Sequence, residues 1–315
     1  MLGTDYPENR LADDDAAGYL KNVSPLLKSA DVAFGNLEGV LLDGGEPEKK
    51  CKNPKACYLF RSPPRYAKLL ATAGFDVMSL ANNHALDFGE EGRDSSMRAL
   101  SRAGIRHSGR EGETASWRHN GLRYAMIAFS PTRGSWDLID FEQHLPVIAE
   151  LADEHDILIV SFHGGAEGSE GVERLGFGME YAYGERRGDV VAFARAAIDA
   201  GADLVIGHGP HIPRAMELYN DRLIAYSLGN FATYYGISVA GEKGYAPLLV
   251  TRLRGDGYFL DGRIHSFRQF RPGGPAADSN HKAARMIREL SKADFPDGQL
   301  LISEDGKLSR KSGGQ

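Results

Sequence analysis

Continuous apolar runs alternate with amphipathic stretches along most of this chain. The runs DVAFGNL, FDVMSLAN, LRYAMIAFS, DILIVSFHG, ADLVIGHG and RLIAYSLGNF read as strands. Their hydrophobicity is nearly uninterrupted, which is the signature of strands buried on both faces of a sheet. Between them, helical spacing predicts helices over 64–73, 90–103, 142–154 and 187–200. Ala73-Gly74, Ala103-Gly104 and Ala200-Gly201 place a glycine just past three of these helices, where the chain must turn left-handed to stop. Strands alternating with helices predict an α/β fold. From Tyr245 onward the period drops to two, and the runs on either side of Gly255-Asp256-Gly257 predict a β-hairpin. A last helix is expected over 281–292, and the polar stretch 303–315 reads as a frayed tail. No internal repeat or flexible linker divides the chain, so 1–302 is expected to form one domain.

Composition narrows the partners. The 315 residues are 42% hydrophobic and 25% charged, enough for a substantial core. A net charge of -6, with no basic stripe interleaved with aromatics, argues against nucleic acid. No apolar stretch approaches the roughly 20 residues of a membrane span, and MLGTDYPENR has neither the basic region nor the apolar core of a signal peptide. Cys51 and Cys57, in CKNPKAC, are spaced for a small disulfide loop or form a pair of reduced thiols.

The chemistry sits where the strands end. Five runs finish in residues that ligate metals: FGNLEG in Glu38, SLANNH in Asn83 and His84, IVSFHGG in His163, VIGHGPH in His208 and His211, and YSLGNF in Asn230. Open α/β sheets bind ligands beyond the carboxyl ends of their strands, so these tips are expected to converge on one cleft. Imidazoles, carboxylates and an Asn carbonyl can hold two divalent ions, with a carboxylate such as Glu38 bridging them. His84 is placed to protonate a leaving oxygen, and Asp87 either orients that imidazole or caps the following helix. Asn36, Asn82 and Glu167 fall into a supporting shell, with Asn230. His107, His119, His144, His155, His265 and His281 lack the strand-tip pattern and read as surface or packing residues.

Taken together, GNLEG, ANNHALDFGEEG, SFHGGAEG, GHGPH and YSLGNF resemble the CapA family of capsule-synthesis proteins, itself similar to the calcineurin-like metallophosphoesterases. The resemblance implies a two-sheet β-sandwich flanked by helices, with two divalent ions (Mn, Zn or Fe) between loops at the strand ends. It places Glu38 at a bridging carboxylate, Asn83, His163, His208 and His211 at metal ligands, and His84 at the residue that assists the leaving group. The implied activity is metal-dependent, phosphoesterase-like hydrolysis tied to poly-gamma-glutamate capsule or envelope polymer. The implied partners are an anionic polymer or phosphoester and capsule-synthesis membrane proteins. A non-hydrolytic polymer-binding role in capsule synthesis or export is the alternative.

GHGPH differs from the superfamily's Gly-His-x-His by one extra residue. Similar family members carry a Gly-Asp directly before the stretch matched by MLGTDYP, on the first core strand. This chain begins after it, so the expectation is a fold lacking that strand and its Asp ligand, with Asp5 in a loop. An export signal would lie in the same upstream segment, giving an extracytoplasmic or membrane-associated protein in its native form.

Overall fold

The computed structural model describes residues 1–14, 16–50, 58–168 and 172–311. Cys51 and Cys57 lie outside the described residues.

The largest sheet has seven strands. Its centre is four parallel strands, Leu122–Ser130, Ile157–His163, Leu204–His208 and Arg222–Ala225, with Ala115–His119 and Met216–Tyr219 running antiparallel at the two sides. Ile157–His163 is buried along its whole length, the reason its sequence shows no alternation. A three-stranded parallel sheet orders Phe34–Asn36, Val77–Ser79 and Arg106–Ser108. Tyr245–Leu253 and Phe259–Gln269 form the expected antiparallel hairpin, the longest pairing among the described residues.

Three apolar clusters show how these sheets stack. One joins Ile127, Phe129, Val160 and Phe162 to Ile148 and Leu151 of the Leu145–Glu154 helix and to Phe193 and Ala197 of the Val190–Asp199 helix. A second joins the opposite face of the same strands, through Met126, Ile159 and Ile206, to Val77 of the small sheet and Ile264 of the hairpin. The third covers the far side of the small sheet, where Met78 meets Leu70 of the Tyr66–Ala73 helix and Leu100 of the Gly89–Arg102 helix. The order is helices, sheet, sheets, helices, a two-sheet sandwich flanked by helices. Because neighbouring strand residues point to opposite faces, Met126 and Ile127 serve different clusters.

Several boundaries differ from the sequence pattern. The helix expected from 187 begins at Val190, because the Asp189 carboxylate caps the Ala192 N–H at 3.0 Å and Glu185–Gly188 pairs as a strand with Glu180–Ala182. The tail expected to fray from Ser303 contains Lys307–Arg310, which pairs with Leu300–Ile302 and Phe259–Gln269 and buries Leu308 completely. One apolar side chain on a polar segment secures it there. The outer edge of Phe34–Asn36 has no strand partner among the described residues. It faces an apolar cavity of about 240 Å³ shared with the hairpin residues Leu248 and Val250. No helix among the described residues is long and apolar enough to cross a membrane.

Candidate metal centre

His163 and His208 end neighbouring parallel strands and are register partners, so their imidazoles stand side by side on the face turned toward the small sheet. The chain leaves both strands through glycine because the two loops touch. A Cβ at Gly209, whose φ is +130°, would lie 2.4 Å from the Gly164 carbonyl oxygen, and one at Gly164 would lie 2.6 Å from the Arg187 carbonyl oxygen. The Gly164 N–H donates to the His208 carbonyl at 2.8 Å, locking the tips together. From the facing sheet, Glu38 follows Phe34–Asn36, and Asn83 and His84 follow Val77–Ser79.

These tips converge. Glu38 Oε1 lies 3.8 Å from His211 Nε2 and 3.9 Å from His84 Nε2. Glu167 Oε2 lies 3.2 Å from the same His211 nitrogen. His211 Nδ1 bonds the Asn230 side-chain oxygen at 2.9 Å; that oxygen only accepts, so Nδ1 donates and Nε2 is turned to the cleft. Asn230 is itself fixed by donating to the carbonyls of Ser238 and Lys243. Asn82 ties the two small-sheet tips together, donating to Leu37 O at 3.0 Å and accepting the His84 N–H at 3.0 Å, with Asn36 Oδ1 3.5 Å away.

Asp87 could orient His84 or cap the next helix, and the geometry separates these roles. The Gly89–Arg102 helix has no side-chain cap. The fully buried Asp87 carboxylate instead receives the His84 Nδ1 proton at 2.7 Å and the Phe60 N–H at 2.8 Å. Phe60 also packs on the imidazole, with ring centroids 4.2 Å apart. His84 thus presents Nε2 to Glu38 and the cleft.

Two cations join the site that no sequence motif marks. Lys49 reaches Asp87 Oδ1 at 3.0 Å and the Asn83 carbonyl at 3.2 Å. Arg187 is buried and bonds Glu167 Oε1 at 2.9 Å. The first lies in a lysine-rich stretch and the second at the start of an expected helix, so nothing local distinguishes either. Asp5 pairs with Arg61 at 2.6 Å and takes no part in the cluster.

Burial sets the proton affinities. It pushes His163 well below the usual histidine range, helped by the neighbouring His211 and Arg187. It takes His208 down to about 4. At His211 burial acts the same way, but Glu38 and Glu167 outweigh it and hold the imidazole above its ordinary value. Burial would raise Glu167, yet its bond to His211, with the charges of His211 and Arg187, holds the carboxyl below. The two strand-end imidazoles are neutral at pH 7, the form that ligates metals.

The buried atoms left without hydrogen-bond partners among the described residues test whether an ion fits. They include Glu38 Oε1, Asn83 Oδ1, both ring nitrogens of His163 and His208 Nδ1. Each such atom costs about 1–3 kcal/mol. The oxygens are pure acceptors, and each neutral ring offers one lone pair. A cation uses all of these at once, so the donor set fits a divalent ion. Among the described residues, no three His, Cys, Asp or Glu side chains draw together as a closed cluster. Enclosing an ion therefore requires these side chains to close in.

An α/β sandwich with histidines, an Asn and a Glu on facing strand tips defines the class. The model of the family described as "Bacterial capsule synthesis protein PGA_cap" matches residues 2–235, and the chain belongs to this family. It is 28% identical to a capsule biosynthesis protein CapA of Bacillus anthracis, over 99% of this chain and 75% of that protein. It is 26% identical to the PGA biosynthesis protein CapA of Bacillus subtilis (strain 168), over 98% and 79%. A probable polyglutamine synthesis accessory protein of Mycobacterium tuberculosis is 30% identical over 70% of this chain and 59% of its own length. The resemblance to CapA proteins holds along the chain. A 5'-nucleotidase precursor from Thermus thermophilus superposes on 64% of the chain and 40% of its own at a TM-score of 0.35 and 14% identity. So slight a likeness leaves the fold to be read from its own strand order.

Proposed function

We propose that this chain is a metal-dependent hydrolase of a phosphoester or related linkage, working in the synthesis of a capsule or envelope polymer such as poly-gamma-glutamate. The observation that carries the reading is the set of unpartnered buried acceptors on Glu38, Asn83, His163 and His208, facing the His84–Asp87 pair. Glu38, Asn83, His163, His208 and His211 would hold up to two divalent ions. Ions bound there would polarise the scissile group and lower the pKa of an attacking water. The other work belongs to the chain's own side chains. Asp87 holds His84 in one tautomer and one orientation, and His84 Nε2 delivers a proton to the leaving oxygen. The polymer context rests on the names of the CapA relatives. It goes with an extracytoplasmic or membrane-associated location and with capsule-synthesis membrane proteins as partners.

The test is cleavage of bis(p-nitrophenyl) phosphate by the Mn²⁺-loaded chain. His84→Ala is expected to lower the rate by roughly 10²–10⁴-fold while leaving bound Mn²⁺ unchanged. Metal retention with no cleavage by the unmodified chain would favour the non-hydrolytic polymer-binding role.

A further inference from the structure

Glu167 is built unlike a solvated loop acid. Its side chain is 9% exposed, on the loop that leaves the His163 strand, and its two oxygens go to different partners. Oε1 meets Arg187 Nη2 at 2.9 Å, and Oε2 meets His211 Nε2 at 3.2 Å. Arg187 belongs to the Glu185–Gly188 strand, which is fixed to the same loop where its carbonyl accepts the Gly165 N–H at 2.9 Å. Buried as it is, its Nε has no hydrogen-bond partner among the described residues. His211 Nε2 is also the nitrogen that Glu38 approaches, and Asn230 aims it into the cleft.

An ion held by His211 Nε2 would release the proton there to solvent and so remove the hydrogen bond that Glu167 now accepts. Glu167 Oε2 is then left buried beside a divalent charge, its one partner gone. The carboxylate has one favourable course, to join the ion, and in doing so it loosens from Arg187. Arg187, already short of a partner at Nε, then keeps only the largely exposed Glu185 carboxylate, 3.3 Å from its Nη2, and its buried guanidinium suits the planar oxygens of a phosphate or carboxylate.

From this geometry we infer that Glu167 and Arg187 form an exchange pair: Glu167 becomes a ligand of the divalent ion, and Arg187 thereby becomes the receptor for the substrate's anionic group. The inference rests on the metal-binding reading of the site and adds two residues to it, with an anionic substrate class.

The test is Mn²⁺ titration calorimetry on the full chain and on Glu167→Gln, Arg187→Gln and Arg187→Lys, with folding checked by circular dichroism. Glu167→Gln is expected to weaken Mn²⁺ binding by roughly tenfold or more, the scale on which metal sites respond to altered ligand shells. Arg187→Gln is expected to tighten it a few-fold, roughly, because a competing positive charge is removed and the carboxylate is freed. Arg187→Lys keeps the charge and should stay near the unmodified affinity, which preserves the test if Arg187→Gln does not fold. Inorganic phosphate should bind the Mn²⁺-loaded chain and lose roughly tenfold or more in affinity in either Arg187 variant, because neither offers the bidentate fork. Unchanged Mn²⁺ affinity in Glu167→Gln overturns the inference. So does equal weakening by Glu167→Gln and Arg187→Gln, the outcome of a purely structural ion pair. Failure of the unmodified chain to bind Mn²⁺ overturns the metal reading itself and the exchange pair with it.

Discussion

Two groups of buried polar side chains meet at the loop after His163, and they are finished to different degrees. Arg214 and Glu180, 1% and 6% exposed, are fully engaged. The guanidinium bonds both Glu180 oxygens at 3.1 and 2.8 Å and the Val172 carbonyl at 2.6 Å, while Glu180 also accepts the N–H groups of Ala166 and Gly176. A few residues away, His163 has no partner at either ring nitrogen among the described residues, and Glu38 Oε1, Asn83 Oδ1 and His208 Nδ1 are in the same condition. Both groups are out of water, so burial does not distinguish them. Completeness does: a satisfied cluster holds the fold, and an unsatisfied one is arranged for something that is not protein.

The contrast can be broken most forcefully at Arg214. Arg214→Met leaves the Glu180 carboxylate buried without its counter-charge and should cost about 3–5 kcal/mol in urea unfolding. A loss well under about 1 kcal/mol would show that the complete cluster is not structural.

Acid supplies a second, intermediate effect. His208 is held at about 4 when folded against an ordinary 6.5, and His163 is shifted in the same direction. Above pH 6.5 the imidazoles are neutral in both states. Between pH 6.5 and about 4 the unfolded chain takes up protons that the folded chain refuses, so stability falls as pH falls through that window. Urea unfolding in EDTA at pH 7.0 and 4.5 should show the drop, and His208→Asn should reduce it. An equal drop in that variant would assign the effect to other groups.

The smallest effect sharpens the comparison by its sign. His163→Leu removes two unpartnered nitrogens at nearly constant volume. The metal-free protein should be unchanged or up to about 1 kcal/mol more stable, in contrast to the loss at Arg214. A loss above about 2 kcal/mol would mean that His163 supports the fold.

How much of this is legible in the sequence follows from the range of the forces involved. The buried strands announce themselves as apolar runs because two-sided burial leaves no room for alternation, and Ile157–His163 is the clearest case. The polar tips are legible for the same reason, as abrupt ends to those runs. Asp87 orienting His84 is one of the two roles its position three residues on allows, whereas the pairing of His211 with Asn230, nineteen residues apart across two strands, is set by the fold and not by a local pattern. Lys49 and Arg187 are invisible there because their roles depend on loops that return from elsewhere in the chain. The strand at Lys307–Arg310 escapes the pattern because its only strong apolar signal is Leu308, too little to register as a period.

We propose that the unpartnered acceptors on the strand tips bind a divalent ion. Equilibrium dialysis of the intact chain against Mn²⁺, alongside His163→Leu, tests it most directly. The unmodified chain is expected to retain the ion after removal of free metal, and His163→Leu to retain markedly less while staying folded. An unmodified chain that holds no Mn²⁺, or a variant that holds as much, would contradict it.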